Sequence, residues 1–167
     1  MKKTIKIINE LVKKKIIKKY AIGGAIAAMF YSETVATKDL DIFVLPQLTE
    51  SGIVHLSAIY DYLKKLGYTM QGQYFIIEGV AVDFLPVYNK LTLEALENAA
   101  DLLYDRMKVK VPRAEYLIAI SLDTGRKKDL VRIDLLLEQA KIDKHLLMDI
   151  LKRHNLYTKW LQYVGKK

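Results

Sequence analysis

The sequence predicts an α+β fold, a small mixed β-sheet flanked by helices and followed by a mainly helical C-terminal region. Three observations carry that expectation. Between residues 3 and 19, Ile5, Ile8, Leu11, Val12 and Ile16 recur at helical spacing with lysines between them. Short β-branched and aromatic runs then fall at 20–22, around Asp39 and Asp41, at 73–78 and at 80–85. From about Thr92 onward the composition favours helices. Residues 1–90 are therefore expected to form the core, with 91–167 a helical region packed on it.

Taken in order, the first helix is expected to run through residues 3–19 into a strand at Tyr20–Ile22. Gly23 and Gly24 make a turn, and a helix follows from Ala25 to about Tyr31. After a polar loop comes the strand that carries Asp39 and Asp41 and ends near Pro46. An amphipathic helix at about 51–66 is stopped by Gly67, and His55 inside it reads as a surface or packing residue. The strands at 73–78 and 80–85 meet tightly around Gly79 and form a hairpin. Thr92 is the expected N-cap of a helix whose body is Ala95–Leu103, and Lys108–Val111 a short strand ended by Pro112. Pro112 suits the first turn of a helix over 113–122, and the Thr124-Gly125 break separates it from RKKDLVRIDLLLEQ. Asp143 is the expected cap of the next helix, and a last segment holds Tyr157, Trp160 and Tyr163.

Length and composition narrow the function class. A chain of 167 residues, 51% hydrophobic and 28% charged, is long enough for a proper core and is globular in character. No apolar run is long enough to cross a bilayer, and the lysine-rich start lacks the apolar centre of a signal peptide. With no cysteine there are no disulfides and no thiol chemistry, which suits a cytoplasmic location. His55, His145 and His154 are not spaced as a zinc site. The formal charge is +8, and eight lysines lie in the first 19 residues. Such a surface attracts nucleic acid, nucleotide phosphates or an acidic partner, although any single lysine is as well explained by solvating a helix face.

Chemistry concentrates in YAIGGAIAAMFYSETVATKDLDIFVLP, residues 20–46. Asp39 and Asp41 project from one face of their strand, because side chains two apart share a side. Two carboxylates so placed repel unless a cation sits between them. Gly23-Gly24 leaves backbone N–H groups free at a helix start and lets a phosphate approach closely. A third acid, Asp83, stands among Val80, Val82, Phe84 and Leu85, where a carboxylate is costly unless paired, hydrogen-bonded or bound to metal. Alone, Asp39-Leu40-Asp41 would read as a solvated strand end with Lys38 as partner, and Asp83 as a residue on a wet face. Arg126-Lys127-Lys128-Asp129 has two readings of equal weight: an ordinary charged first turn, or cations facing an anion that relieves their conflict with the helix dipole. Ser32 and Thr34 carry no assignment, and Tyr74 and Phe75 read as core before they read as base-stacking residues.

The ordered set Gly23-Gly24, Asp39-Leu40-Asp41 and Asp83, 42 residues beyond Asp41, resembles the nucleotidyltransferase fold of the DNA polymerase β superfamily. Small prokaryotic members, including abortive-infection (AbiE-like) toxins of toxin–antitoxin pairs, are the nearest in appearance. The loop of 14 residues between Gly24 and Asp39 is at the long end for that pattern. The resemblance implies an enzyme that moves an NMP from an NTP to an acceptor hydroxyl on RNA, protein or a small molecule, with ATP among its candidate donors. It implies catalytic and metal-binding roles for Asp39, Asp41 and Asp83, two Mg²⁺ ions, and nucleotide contacts from Gly23, Gly24, Arg126 and Lys128. It also implies a toxin role with an acidic antitoxin as partner. A catalytically silent nucleotide- or RNA-binding module on the same fold is the alternative.

Overall fold

In the computed structural model the described residues are 1–33, 37, 39–46 and 56–165. Thr34, Lys38 and residues 51–55 with His55, all named above, lie outside them. Helix α1 spans Lys2–Lys13 and buries Ile5, Ile8 and Leu11 of the expected stripe, together with Thr4; Val12 is half-buried and Ile16 lies beyond the helix. It is shorter than expected. Lys15 takes a left-handed backbone (φ 58°), and the Ile16 N–H turns back to the Leu11 carbonyl at 2.9 Å. The next residues are strand β1, Ile17–Ile22, instead of helix. The sheet wins here because Ile17 and Tyr20 are buried when the strand pairs with its neighbour, whereas a continued helix would strand them.

Helix α2, Gly24–Ala28, is likewise shorter than its expected extent to Tyr31. Strand β2 (Asp39–Pro46) pairs antiparallel with β1, and helix α3 (Ser57–Lys65) is followed by Gly67 at φ 86°. Strand β3 (Thr69–Gln71) was not expected; all three residues are exposed, so no burial pattern marked it. The expected hairpin is present as β4 (Tyr74–Ile77) and β5 (Val80–Pro86), turning through Glu78 and Gly79 with positive φ. The five strands lie in the order β1-β2-β5-β4-β3. Only the central β2–β5 pair is parallel, which makes the sheet mixed and sets the register of the acids.

The second half departs from expectation most at residues 95–104. Helix α4 is Lys90–Glu97, capped by Asn89, while Thr92 is its third residue and closes a reciprocal capping box with Asn89. The helix does not continue to Leu103. Residues Ala100–Tyr104 form β6, paired with β7 (Met107–Val111) around Asp105 and Arg106, both left-handed. Leu102 opposite Val109 gives this hairpin its contact with the core, and pairing overrides the helical propensity of the segment.

Helix α5 (Ala114–Thr124) is buried along most of its length, with Arg113 as N-cap and Gly125 left-handed at its end, so Pro112 lies just outside. It packs against α2, α4, α6 (Lys127–Gln139) and α7 (Lys144–Arg153), the last capped by Asp143 through the Leu146 N–H at 3.0 Å. Helix α8 (Tyr157–Val164) leans its Trp160 and Tyr163 rings together, and the Tyr163 hydroxyl bonds Asp134. The acid-bearing face of the sheet is covered further along by Phe43, Leu45, Leu85, Leu96 and Ile120, from β2, β5, α4 and α5. No described helix is long and apolar enough to cross a membrane.

Candidate functional site

The parallel pairing of β2 and β5 sets Asp41 directly beside Asp83, and Asp39 is two residues earlier on the same face. Their neighbours Leu40, Ile42, Val82 and Phe84 point the other way and are buried. The three sequence-predicted acids are thus brought to one patch by sheet register. Asp41 lies in the field of the other two. Burial pushes its carboxyl up first, and the charges of Asp39 and Asp83 push it further, with Arg132 and Lys128 pulling back. The outer two are held by hydrogen bonds: the Thr37 hydroxyl donates to Asp39, and Gln73 Nε2 donates to Asp83 Oδ2 at 2.6 Å. Among the described residues no three acids are already closed around a single point. They share a face, and their side chains are engaged separately.

Gly23 and Gly24 lie against these acids for a steric reason. The Gly23 N–H donates to the Asp41 carbonyl at 2.8 Å, which docks the turn on β2. A Cβ at Gly23 would come within 2.8 Å of the Phe43 ring, and one at Gly24 (φ 58°) would overlap Asp41 Oδ2. Only glycine lets the start of α2 come this close to the Asp41 carboxylate.

Opposite stands α6. Asp129 is 1% exposed and holds two arginines, Arg126 Nε at 2.6 Å and Arg132 Nη1 at 3.0 Å. Arg132 also donates to Ser121 Oγ at 3.5 Å. One carboxylate shared by two guanidiniums leaves a surplus positive charge. The hydrogen bond to Asp129, and next its charge, raise the Arg126 guanidinium even against desolvation, and Asp41 and Asp39 add to that. A cleft of about 330 Å³ lies between the two sides, with Gly24, Asp41 and Phe43 on one wall and Ser121, Arg126 and Arg132 on the other. Of the expected nucleotide contacts, Gly23 docks the turn, Gly24 and Arg126 line this cleft, and Lys128 is exposed and reaches Asp41 only through its field.

Arg132 was missed from the sequence, although its spacing one helical turn after Asp129 was a usable signal. Also missed were Gln73 and the aromatic ring of Tyr60. The Tyr60 and Tyr74 phenols are both raised, by desolvation first and then by the acids; Tyr60 feels Asp83, and Tyr74 feels Asp39, Asp83 and Asp41. Phe75, by contrast, belongs to the core, 5.1 Å from the Tyr60 ring.

Two further clusters lie apart from the acids. A cavity of about 460 Å³ is bounded by Lys13, Lys18, Lys19, Lys108 and Lys110 and floored by Val12, Leu96 and Val109. Its acids are Glu97 and Asp101, the latter paired with Lys110, so it lacks the clustered carboxylates of β2 and β5. Elsewhere Glu94 accepts from Tyr116 at 2.7 Å, Arg153 at 2.6 Å and His154 at 2.7 Å, fastening α4 to α5 and α7. Desolvation pushes the Glu94 carboxyl up, but these bonds outweigh it and pull it down to about 2.

A family model described as "Nucleotidyl transferase of unknown function (DUF2204)" matches residues 1–158. Solved structures share the fold. The antibiotic-resistance factor ANT(2″)-Ia in solution superposes with a TM-score of 0.57 at 12% identity, over 98% of this chain and 95% of that one. Its crystal structure in complex with adenylyl-2″-tobramycin gives 0.58 at 15% identity, over 93% and 96%. An antigenic nucleotidyltransferase-like protein from Paracoccidioides brasiliensis gives 0.54 at 19% identity, over 94% and 90%. No curated protein matches the sequence significantly.

Proposed function

This chain belongs to the DUF2204 nucleotidyl transferase family, and from that premise we propose that it moves an NMP from an NTP to an acceptor hydroxyl, assisted by divalent metal. The observation that carries the reading is the register of β2 on β5, which sets three carboxylates on one face, with Asp41 across a cleft from Arg126 and Arg132. Carboxylate-only donors suit a hard cation such as Mg²⁺, and the upward push on Asp41 from its two acidic neighbours is the repulsion that such an ion relieves. Asp39, Asp41 and Asp83 would hold it, and when bound it supplies charge stabilisation at the phosphoryl oxygens.

The chain's own residues account for the rest. Arg126 and Arg132, fixed by Asp129, neutralise the triphosphate, and Lys128 adds its field. Gly23 docks the turn on β2, and Gly24, lacking a side chain, sets the start of α2 against Asp41 where its backbone lines the cleft and is offered to the phosphate. Asp83, held by Gln73, stands on the side of Tyr60 and Tyr74 and takes the proton from the acceptor hydroxyl. The acceptor oxygen bonds to the α-phosphorus as the bond to pyrophosphate breaks.

The test is labelling with each α-³²P NTP, Mg²⁺, total RNA and total protein, beside an Asp39→Ala, Asp41→Ala double variant. Label on a macromolecule with the unsubstituted protein alone supports transfer and identifies the acceptor class. Mg²⁺–NTP binding without label in these mixtures is followed by a screen of small hydroxyl acceptors, and failure there overturns transfer in favour of a nucleotide-binding module. Absence of both label and binding overturns the site.

A further inference from the structure

We infer that Tyr88 is the stacking platform for the nucleobase of the NTP, and that the cleft accepts all four bases with little discrimination; this rests on the NTP site of the reading above. Tyr88 is the most exposed large apolar side chain among the described residues, 69% accessible. It nevertheless lines the same cleft as Asp41, Arg126 and Arg132. Its ring has no hydrogen bond or aromatic partner among the described residues. An exposed ring is unremarkable by itself; the mounting of this one distinguishes it. On one side, the Val87 N–H donates to the Val44 carbonyl at 3.1 Å. On the other, Asn89 and Thr92 lock the start of α4 with a reciprocal capping box. The backbone of Tyr88 is therefore fixed while its ring is left open, an arrangement that loses little entropy when a flat ligand settles on it.

The chemistry around the ring favours a nucleobase. Leu85, Pro86, Phe43 and Ile120 give the cleft an apolar wall beside Tyr88, and its charged groups gather at Asp41, Arg126 and Arg132. A nucleotide has the same division, an apolar π-face joined to a polyanion. Among the described lining residues the uncharged side chains that could read a base edge are the hydroxyls of Ser121, which accepts from Arg132, and Thr124, which donates to the Ile120 carbonyl at 2.9 Å, and Asp129 is consumed by its two arginines. Stacking tolerates any base, whereas discrimination needs fixed donors and acceptors aimed at an edge.

Titration of the full chain with each Mg²⁺–NTP by calorimetry tests this independently of turnover. Tyr88→Ala should weaken ATP by about 5- to 150-fold. Tyr88→Phe should restore binding to within a factor of about two, since the π-face is kept. The melting temperature of the alanine variant should not move, because the ring supports no packing. If transfer is assayed, the loss should fall on KM with kcat retained. The unsubstituted protein should bind the four NTPs within roughly tenfold of each other. Unchanged affinity in Tyr88→Ala, failure of Tyr88→Phe to rescue, or a preference of more than about a hundredfold for one base overturns the inference. Binding without any transfer sinks only the transfer reading, and absence of NTP binding sinks both.

Discussion

Replacing Asp41 by Asn should stabilise the metal-free fold while abolishing transfer. Asp41 stands beside Asp83 on the adjacent strand and two residues from Asp39, and burial and both charges raise its carboxyl above the ordinary range. A group raised in this way costs stability at pH values where it is ionised, and the cost fades as the pH falls through the carboxylate range near 4. Adjacent strands are about 4.8 Å apart. At about 5 Å a pair of like charges repels by roughly 0.8 kcal/mol in water and roughly 3 kcal/mol at an effective dielectric of 20. Arg132 and Lys128 offset part of that. A net gain of about 1 kcal/mol follows, or roughly 2–4 °C in Tm for a chain of this size. Thermal melts at low salt should show this gain at pH 7.5 in EDTA and its disappearance near pH 4. Added Mg²⁺ should raise the Tm of the unsubstituted protein more than that of the variant. A Tm for Asp41→Asn equal to or below that of the parent at pH 7.5 without metal would refute the reasoning, since it would mean that Asp41 is already compensated in the free protein.

Two other substitutions test the walls of the site and its frame. Arg132→Ala removes one of the two partners of a buried carboxylate, so it should cost about 1–3 kcal/mol in urea denaturation and reduce kcat/KM for NTP by at least about a hundredfold; Arg132→Lys should recover part of both. Glu94→Gln should cost about 1–2 kcal/mol at pH 7, discounted because Arg153 is 42% exposed. The Glu94 carboxyl is lowered from 4.5 to about 2, so its contribution is full above pH 4.5 and is lost as the pH falls toward 2. Denaturation at pH 7 and pH 3 should therefore show the two proteins converging in acid.

Much of the site was legible because its signals are local. Gly23-Gly24 announced a close backbone approach, and the Asp39–Asp41 spacing set two carboxylates on one face whatever the strand's neighbours. The stripe of α1, the hairpin at Gly79 and the cap at Asp143 were local too. Two departures share a cause: residues 17–19, expected as helix, and Ala100–Leu103, expected as the end of α4, have helical propensity that pairing with a partner strand overrides. Arg132 lies inside α6, beyond the charged first turn whose cations stand out in the sequence.

Residue types and short spacings fix which groups are available: three carboxylates, a glycine pair, and a basic turn before a leucine-rich helix. These depend on residue type and short spacing, which folding does not alter. Only the tertiary structure decided that Asp83 pairs with Asp41 and not with a neighbour one residue away, since a slip of one would turn it to the opposite face. It also decided that Asp129 holds Arg126 and Arg132 together across the cleft from Asp41. Register and helix packing are settled by burial summed over distant residues, and no local stretch of the chain carries that sum.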